Sequence, residues 1–250
     1  MKTTNNTILI TGGGSGIGLE MAKLFSVDNT VIITGRNADK LEKAILGLEN
    51  VTAIASDINN AEDVENLSQK LNKDFPALNV VINNAGLANY YKLTDENANA
   101  FEKASAEILT NYLSIVRLTE KLLPLLQRQD QSAFVNVSSI AAFSPGIVLP
   151  GYAVSKAALH SYSQVLRISL EKHGQYNSVK VFEVMPPLVN TEFSKEIGGE
   201  NGISPAEVAQ QLKNGFETDT YEIHVGGTAE FYKLYLSSPE SALQAMNANQ

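Results

Sequence analysis

Short apolar runs rich in Val and Ile alternate along this chain with longer stretches whose apolar residues recur every three or four positions. The short runs predict strands at 7–11, 30–34, 51–55, 79–83, 133–137, 179–185 and 221–225. Most are apolar at consecutive positions, as strands covered on both faces are. The longer stretches predict helices at 16–26, 38–48, 61–75, 94–128, 152–173 and 205–214. An amphipathic tail follows from about 228, carrying Phe231, Leu234 and Tyr235. Strands alternating with helices need crossover connections and hence a parallel sheet. The expected architecture is α/β, a doubly wound, seven-stranded, mostly parallel sheet with helices on both faces. No repeat, low-complexity tract or linker divides the 250 residues, so one domain is expected.

The first strand runs into Thr11-Gly12-Gly13-Gly14-Ser15-Gly16-Ile17-Gly18, and a helical pattern leaves it. Glycines let backbone approach a ligand closely. A helix N-terminus offers N–H groups and partial positive charge to a pyrophosphate. No Lys-Ser or Lys-Thr follows, so this is not a P-loop. In a Rossmann-type sheet, Gly12, Gly14, Ser15, Gly16, Ile17 and Gly18 are candidates to cradle a dinucleotide; a tight turn without ligand is the competing reading.

The other strand ends supply further candidates. Arg36 follows the second strand, with no acid before Asp39. An acid there would bond a ribose 2′-hydroxyl, whereas an Arg suits a 2′-phosphate, so NADP(H) is favoured over NAD(H). A solvated surface Arg is the alternative. Asp57 and Ile58 close the third strand, where they suit an adenine edge, although Asp57, Asn59 and Asn60 equally suit a helix cap. Asn84, Ala85 and Gly86 close the fourth strand, leaving room for ligand, and Asn84 can also hold the turn. Asn111 stands among apolar helical positions, where it must be satisfied or must kink the helix. Pro124 is expected to bend or break that helix.

The fifth strand ends at Ser138-Ser139, and Tyr152-Ala153-Val154-Ser155-Lys156 follows. Tyr and Lys at i and i+4 share one helix face, turned toward Ser139 if the helix packs beside that strand. A free phenol titrates near 10 and is a poor base; a nearby ammonium favours the phenolate. Tyr152 tuned by Lys156 can exchange a proton with an alcohol or carbonyl while hydride moves to or from a nicotinamide. Ser139 is suited to hold the same substrate oxygen.

Composition narrows the alternatives. The net charge of −8 disfavours nucleic acid and anionic membrane as partners. There are no cysteines, which removes disulfides and thiolate chemistry, and three scattered histidines (His160, His173, His224) offer no metal spacing. A polar N-terminus and the lack of a long apolar run make the cytoplasm the expected location and exclude membrane insertion.

Taken together, Thr11 to Gly18, Asp57, Asn83 to Gly86, Asn111, Val135 to Ser139, Tyr152 to Lys156 and Pro186 to Thr191 resemble the short-chain dehydrogenase/reductase family. The stretches around Met185-Pro186-Pro187-Leu188-Val189 and Tyr221-Glu222-Ile223-His224 are similar to its Dlt-type oxidoreductases. The resemblance implies a catalytic tetrad of Asn111, Ser139, Tyr152 and Lys156, with Asn111 holding a water in a proton relay. It also implies that Tyr152, Lys156, Pro186, Val189 and Thr191 contact the cofactor. Two positions depart from the family pattern: Pro187 replaces a usual glycine, and Ser15 stands where many NADP-using members carry a basic residue. The implied function is hydride transfer between NADP(H) and a small alcohol or carbonyl, by a homodimer or homotetramer. A non-catalytic dinucleotide-binding sensor or scaffold on the same fold is the alternative. Residues 193–202 are expected to form a substrate lid, with an ordinary flexible loop the equal alternative. Leu87, Tyr90, Tyr91, Ala142, Phe143, Ile147, Val148, Leu149, Leu188 and Phe193 are candidates to line a mostly apolar pocket.

Overall fold

In the computed structural model, which describes residues 1–174 and 178–248, seven strands form one sheet. They are β1 (Thr7–Thr11), β2 (Thr30–Gly35), β3 (Val51–Ala55), β4 (Leu78–Asn83), β5 (Ser132–Val137), β6 (Val179–Met185) and β7 (Glu222–His224). The order is β3-β2-β1-β4-β5-β6-β7, and every pairing is parallel rather than mostly so. The strand order reverses between β1 and β4. A doubly wound sheet opens its binding crevice at the C-terminal ends of two such strands.

Alternation along the strands divides the core into two layers. Ile8, Ile10, Val31, Ile33, Val80 and Ile82 face α1 (Gly16–Phe25), α2 (Ala38–Ala44) and α7 (Pro205–Thr218). Leu9, Ile32, Val81 and Phe134 face α3 (Ala61–Asp74), α5 (Ser114–Leu126) and α6 (Pro150–Lys172). The period of two sets which layer each side chain enters. The tail forms α8 (Thr228–Ser237) and α9 (Pro239–Asn247), as its amphipathic pattern indicates. Phe231, Tyr232 and Tyr235 pack around Phe143 with ring centroids 6.3, 5.0 and 5.4 Å away.

The helix expected over 94–128 is divided. It starts as α4 (Ala100–Ile108), passes through a π-helical turn at Leu109–Leu113, and resumes as α5. The π-turn holds Asn111 completely buried, where tertiary hydrogen bonds override the α-helical pattern. Pro124 does not break α5, which continues to Leu126. Pro124 and Glu120, whose carbonyl loses its helical partner, are both exposed near the helix end, where the loss costs least. Helix α6 begins at Pro150, two residues before the expected Tyr152, because a proline fits the first helical position.

Candidate active site

A cleft of about 920 Å³ opens over the C-terminal ends of β1 and β4. Its lining includes Gly12, Gly14, Ser15, Gly16, Ile17, Arg36, Asp57, Ile58, Asn84, Ala85, Gly86, Ser139, Tyr152, Lys156, Pro186, Val189 and Thr191. These are the sequence candidates except Gly18 and Asn111, which stand behind the wall.

The glycine turn is built by close backbone approach. Gly12 has φ +65°, and a Cβ there would lie 2.9 Å from the Cα of Ala85. A Cβ on Gly18 would lie 2.6 Å from the Gly12 carbonyl oxygen. Asn84 ties the turn to β4: its Nδ2 donates to the carbonyls of Thr11 and Gly12 at 3.0 and 3.2 Å. The backbone amides of Asn84 and Ala85 donate to Thr11 Oγ1 at 3.0 and 3.1 Å. Asn84 therefore holds the turn while lining the cleft. The N-terminus of α1 has no side-chain cap and no acid in its first turn. It is left able to receive an anion.

At the β2 and β3 ends, Arg36 and Lys40 line the cleft, both exposed, and no ion pair engages either among the described residues. Lys40 escaped the sequence reading, although its position four residues past Arg36, at a helix start, was the available signal. Asn60, not Asp57, caps α3 by accepting from the amides of Glu62 and Asp63. Asp57 accepts from the Asn59 amide at 2.9 Å and keeps its place in the wall. Thr34, Ser56 and Ser138 also line the cleft, each with a buried hydroxyl that has no protein partner. Buried polar groups are normally satisfied. Unclaimed hydroxyls beside a glycine turn and an uncapped helix start fit a dinucleotide with phosphate and ribose groups.

At the other end, Tyr152 stands beside Ser139, close enough for the serine hydroxyl to favour the phenolate. Lys156 is buried; its Nζ donates to the Val137 carbonyl at 2.8 Å and lies 5.5 Å from the Tyr152 ring centre. Burial is the dominant force on both titrating groups. It pushes the Tyr152 phenol up to about 12, against the Ser139 hydrogen bond and with the Glu107 charge adding to it. It pushes Lys156 down to about 8, with Glu183 opposing. Desolvation disfavours both charged forms, and it, rather than the charge of Lys156, sets the direction of the phenol's shift.

These shifts give stability a defined pH dependence. Between about 8 and the ordinary 10.5 of lysine, the unfolded chain holds a proton on residue 156 that the folded chain has lost, so stability rises with pH there. Between 10.0 and about 12 the folded chain retains the Tyr152 proton longer, and stability falls. Urea midpoints of Lys156→Met against the parent should show the parent's rise from about pH 8 to 10.0 lost in the variant. Parallel curves would contradict the assignment.

Asn111 spends its side chain on the protein. Its Oδ1 accepts from the Leu87 amide, and its Nδ2 donates to the Leu87 carbonyl and to Ser155 Oγ, each at 2.8 Å. Both amide hydrogens are occupied, so the water-holding role implied by resemblance does not fall to them. Its visible work is to fix the β4 exit loop against α6. A second device had no sequence signal: Asn83 Nδ2 donates to Asn136 Oδ1 at 2.8 Å, and Asn136 Nδ2 donates to Ser163 Oγ at 2.9 Å. It fastens β4, β5 and α6 together below the site. Glu107 was missed as well. It is fully buried, accepts from the Asn89 amide at 2.7 Å, and sits against Gly151.

The substrate end is lined by Leu87, Tyr90, Val148, Leu149, Leu188 and Phe193, joined by Met246 from α9. Phe143 turns instead to the aromatic cluster under α8, and Tyr91 is buried beside Glu107 and Gly151. Ala142 and Ile147 lie outside the lining too. The expected lid is folded into 3₁₀ turns, Glu192–Ile197 and Gly199–Asn201. Ser194 Oγ donates to the Val189 carbonyl, and Val189 bridges Ile203. Pro187 lines the cleft without a cis bond, and the Pro186 carbonyl accepts from the Ile140 amide at 3.0 Å.

The family model for short chain dehydrogenases matches residues 6–202, which hold the glycine turn, Ser139, Tyr152 and Lys156. The chain belongs to that family. It is therefore a nicotinamide dinucleotide-dependent oxidoreductase of the short-chain type. It is 38% identical over 229 residues to the uncharacterized oxidoreductase DltE of Bacillus subtilis, covering 89% of each chain. It is 31% identical over 191 residues to an uncharacterized oxidoreductase of Staphylococcus aureus, covering 75% of this chain and 80% of that one. Among solved structures, a short chain dehydrogenase from Burkholderia cenocepacia in complex with NADP superposes with a TM-score of 0.84 at 24% identity, over 98% of both chains. A short chain dehydrogenase/reductase from Burkholderia phymatum in complex with NAD gives 0.81 at 18% identity, over 89% of both. At these identities the structural likeness speaks to the fold. No helix among the described residues is long and apolar enough to cross a membrane.

Proposed function

We propose that this short-chain dehydrogenase transfers hydride between NADP(H) and a small alcohol or carbonyl, with Tyr152 as general acid and base. The observation that carries the reading is that Tyr152, Ser139 and Lys156 line one end of the same cleft, with Lys156 Nζ 5.5 Å from the Tyr152 ring centre, while the glycine turn lines the other. A bound nicotinamide supplies or accepts the hydride. Tyr152, protonated at neutral pH, donates its hydroxyl proton to the carbonyl oxygen in reduction and takes it back in oxidation. Ser139 hydrogen-bonds the same oxygen. Lys156, an ammonium below about pH 8, stabilises the phenolate left behind. The glycine turn and the start of α1 hold the pyrophosphate. Arg36 and Lys40 face a 2′-phosphate, Asp57 and Ile58 the adenine, and Pro186, Val189 and Thr191 the carboxamide end.

Cations line the cleft at Arg36 and Lys40 and again at Lys156, whereas Glu192 and Glu196 line the substrate end. That distribution supports an apolar or uncharged substrate over an anion. The whole chain, tail included, works as one domain in the cytoplasm. Val154, Val165 and Ile168 are 61, 59 and 51% exposed along α6, and Leu113 is 47% exposed just before α5. We read them as the contact between copies in a homodimer or homotetramer.

A panel of aldehydes and ketones, assayed for NADPH oxidation by nicotinamide absorbance, tests the activity; a panel left wholly unreduced, with cofactor bound, counts for the sensor alternative. Arg36→Ala should weaken NADPH by about tenfold, the worth of a charge-assisted pair of about 1.4 kcal/mol, and leave NADH unchanged. An equal loss for both cofactors would remove Arg36 from the 2′-phosphate.

A further inference from the structure

Helix α6 places Tyr152, Lys156, His160 and Gln164 at successive fourth positions, one stripe on one face. Beneath that stripe, β6 turns Glu183 toward the same layer as Val179 and Val181. Glu183 is completely buried. A carboxylate taken out of water needs a partner, because desolvation otherwise forces it neutral. His160 is that partner: its Nδ1 lies 2.9 and 3.1 Å from the two Glu183 oxygens. Gln164 Nε2 lies 3.2 Å from His160 Nε2, and the hydrogen bond with Glu183 holds His160 above the ordinary imidazole range against its burial. The remaining neighbours do not compete for this carboxylate. Arg167 of α6 is engaged by Glu222 of β7 at 3.0 Å, and burial holds His224 of β7 neutral.

Lys156 lies one turn before His160. Its Nζ is buried, and its hydrogen bond goes to the neutral Val137 carbonyl. A buried ammonium with only a carbonyl for company gives up its proton readily. Glu183 sits beside that anchor, because β6 pairs it with Asn136, the residue before Val137 on β5, and its charge acts on Lys156 in the opposite sense.

We propose that Glu183 and His160 form a positioning pair for the active site: His160 clamps the buried Glu183 carboxylate under α6, and that carboxylate is the counter-charge that keeps Lys156 an ammonium beneath Tyr152. The inference rests on the reading of Lys156 as the partner of Tyr152. Neither member of the pair lines the cleft, so the role is electrostatic and acts through Lys156.

The test follows Lys156 directly, by NMR of the full-length protein carrying isotope-labelled lysine ε-carbons, with the resonance assigned from Lys156→Met. In the parent the Lys156 signal should titrate near 8. In Glu183→Gln it should titrate lower by about one unit or more, because the counter-charge is gone and the shape is kept. In His160→Gln, which keeps the carboxylate but takes away its imidazole partner, desolvation pushes Glu183 toward its neutral form and the Lys156 signal should fall in the same sense by a smaller amount. A pair that only packs would leave the Lys156 titration where it is in both variants. A Lys156 titration unchanged in Glu183→Gln overturns the inference, and so does one unchanged in His160→Gln. The second variant keeps the test decisive if the first does not fold. Turnover retained by Tyr152→Phe would instead remove the catalytic reading and leave the lysine result standing.

Discussion

Tyr152→Phe should bind NADPH as the parent does and lose turnover by about two to four orders of magnitude, the usual worth of a positioned proton donor. The ring remains to pack at the cleft, 6.0 Å from Phe193, so only the hydroxyl is removed. Ser139 cannot replace it, because a serine hydroxyl is too weak an acid to supply the proton. Steady-state rates beside nicotinamide fluorescence titrations separate the two quantities. Turnover within tenfold of the parent would remove Tyr152 from proton transfer; lost binding would make it a cofactor contact first.

Gly18→Ala should produce the opposite pattern, with cofactor affinity falling by at least about tenfold, or 1.4 kcal/mol, while the catalytic groups stay intact. The added methyl would meet the Gly12 carbonyl oxygen at 2.6 Å and Asn84 Nδ2 at 2.5 Å. Both atoms belong to the network that ties the turn to β4, so neither can yield without moving the cradle. The first turn of α1 is pushed away from the position in which its amides meet a pyrophosphate. Calorimetric titration with NADPH reads the loss, and thermal unfolding without ligand reads the accompanying strain. Parent-like affinity would mean that the turn does not carry the phosphates.

Much of this site was legible because it depends on short-range pattern. The glycine turn follows from strand, glycine spacing and helix in sequence, and the Tyr152–Lys156 pair follows from helical periodicity. Parallel pairing followed from alternation. What escaped depends on contacts between distant segments. The π-turn at Leu109–Leu113 exists because Asn111 reaches Leu87 and Ser155, and nothing local in Leu-Thr-Asn-Tyr-Leu announces it. The same holds for the Asn83–Asn136–Ser163 ladder and for Met246, which reaches the cleft from α9, far along the chain. Phe143 looked like a pocket residue, yet the aromatic face of α8 offers it more burial than the cleft does. The desolvation that dominates Tyr152 has no sequence signal either, because it depends on how the helix packs.

The most direct test of the account is a pair of titrations of the unmodified protein with NADPH and with NADH, following nicotinamide fluorescence. The account predicts saturable binding of NADPH with a single site per chain and weaker binding of NADH, since Arg36 and Lys40 stand uncommitted at the adenosine end. Binding of neither nucleotide would contradict it, because the glycine turn, the uncapped helix and the unclaimed hydroxyls of Thr34, Ser56 and Ser138 would then have no ligand to serve.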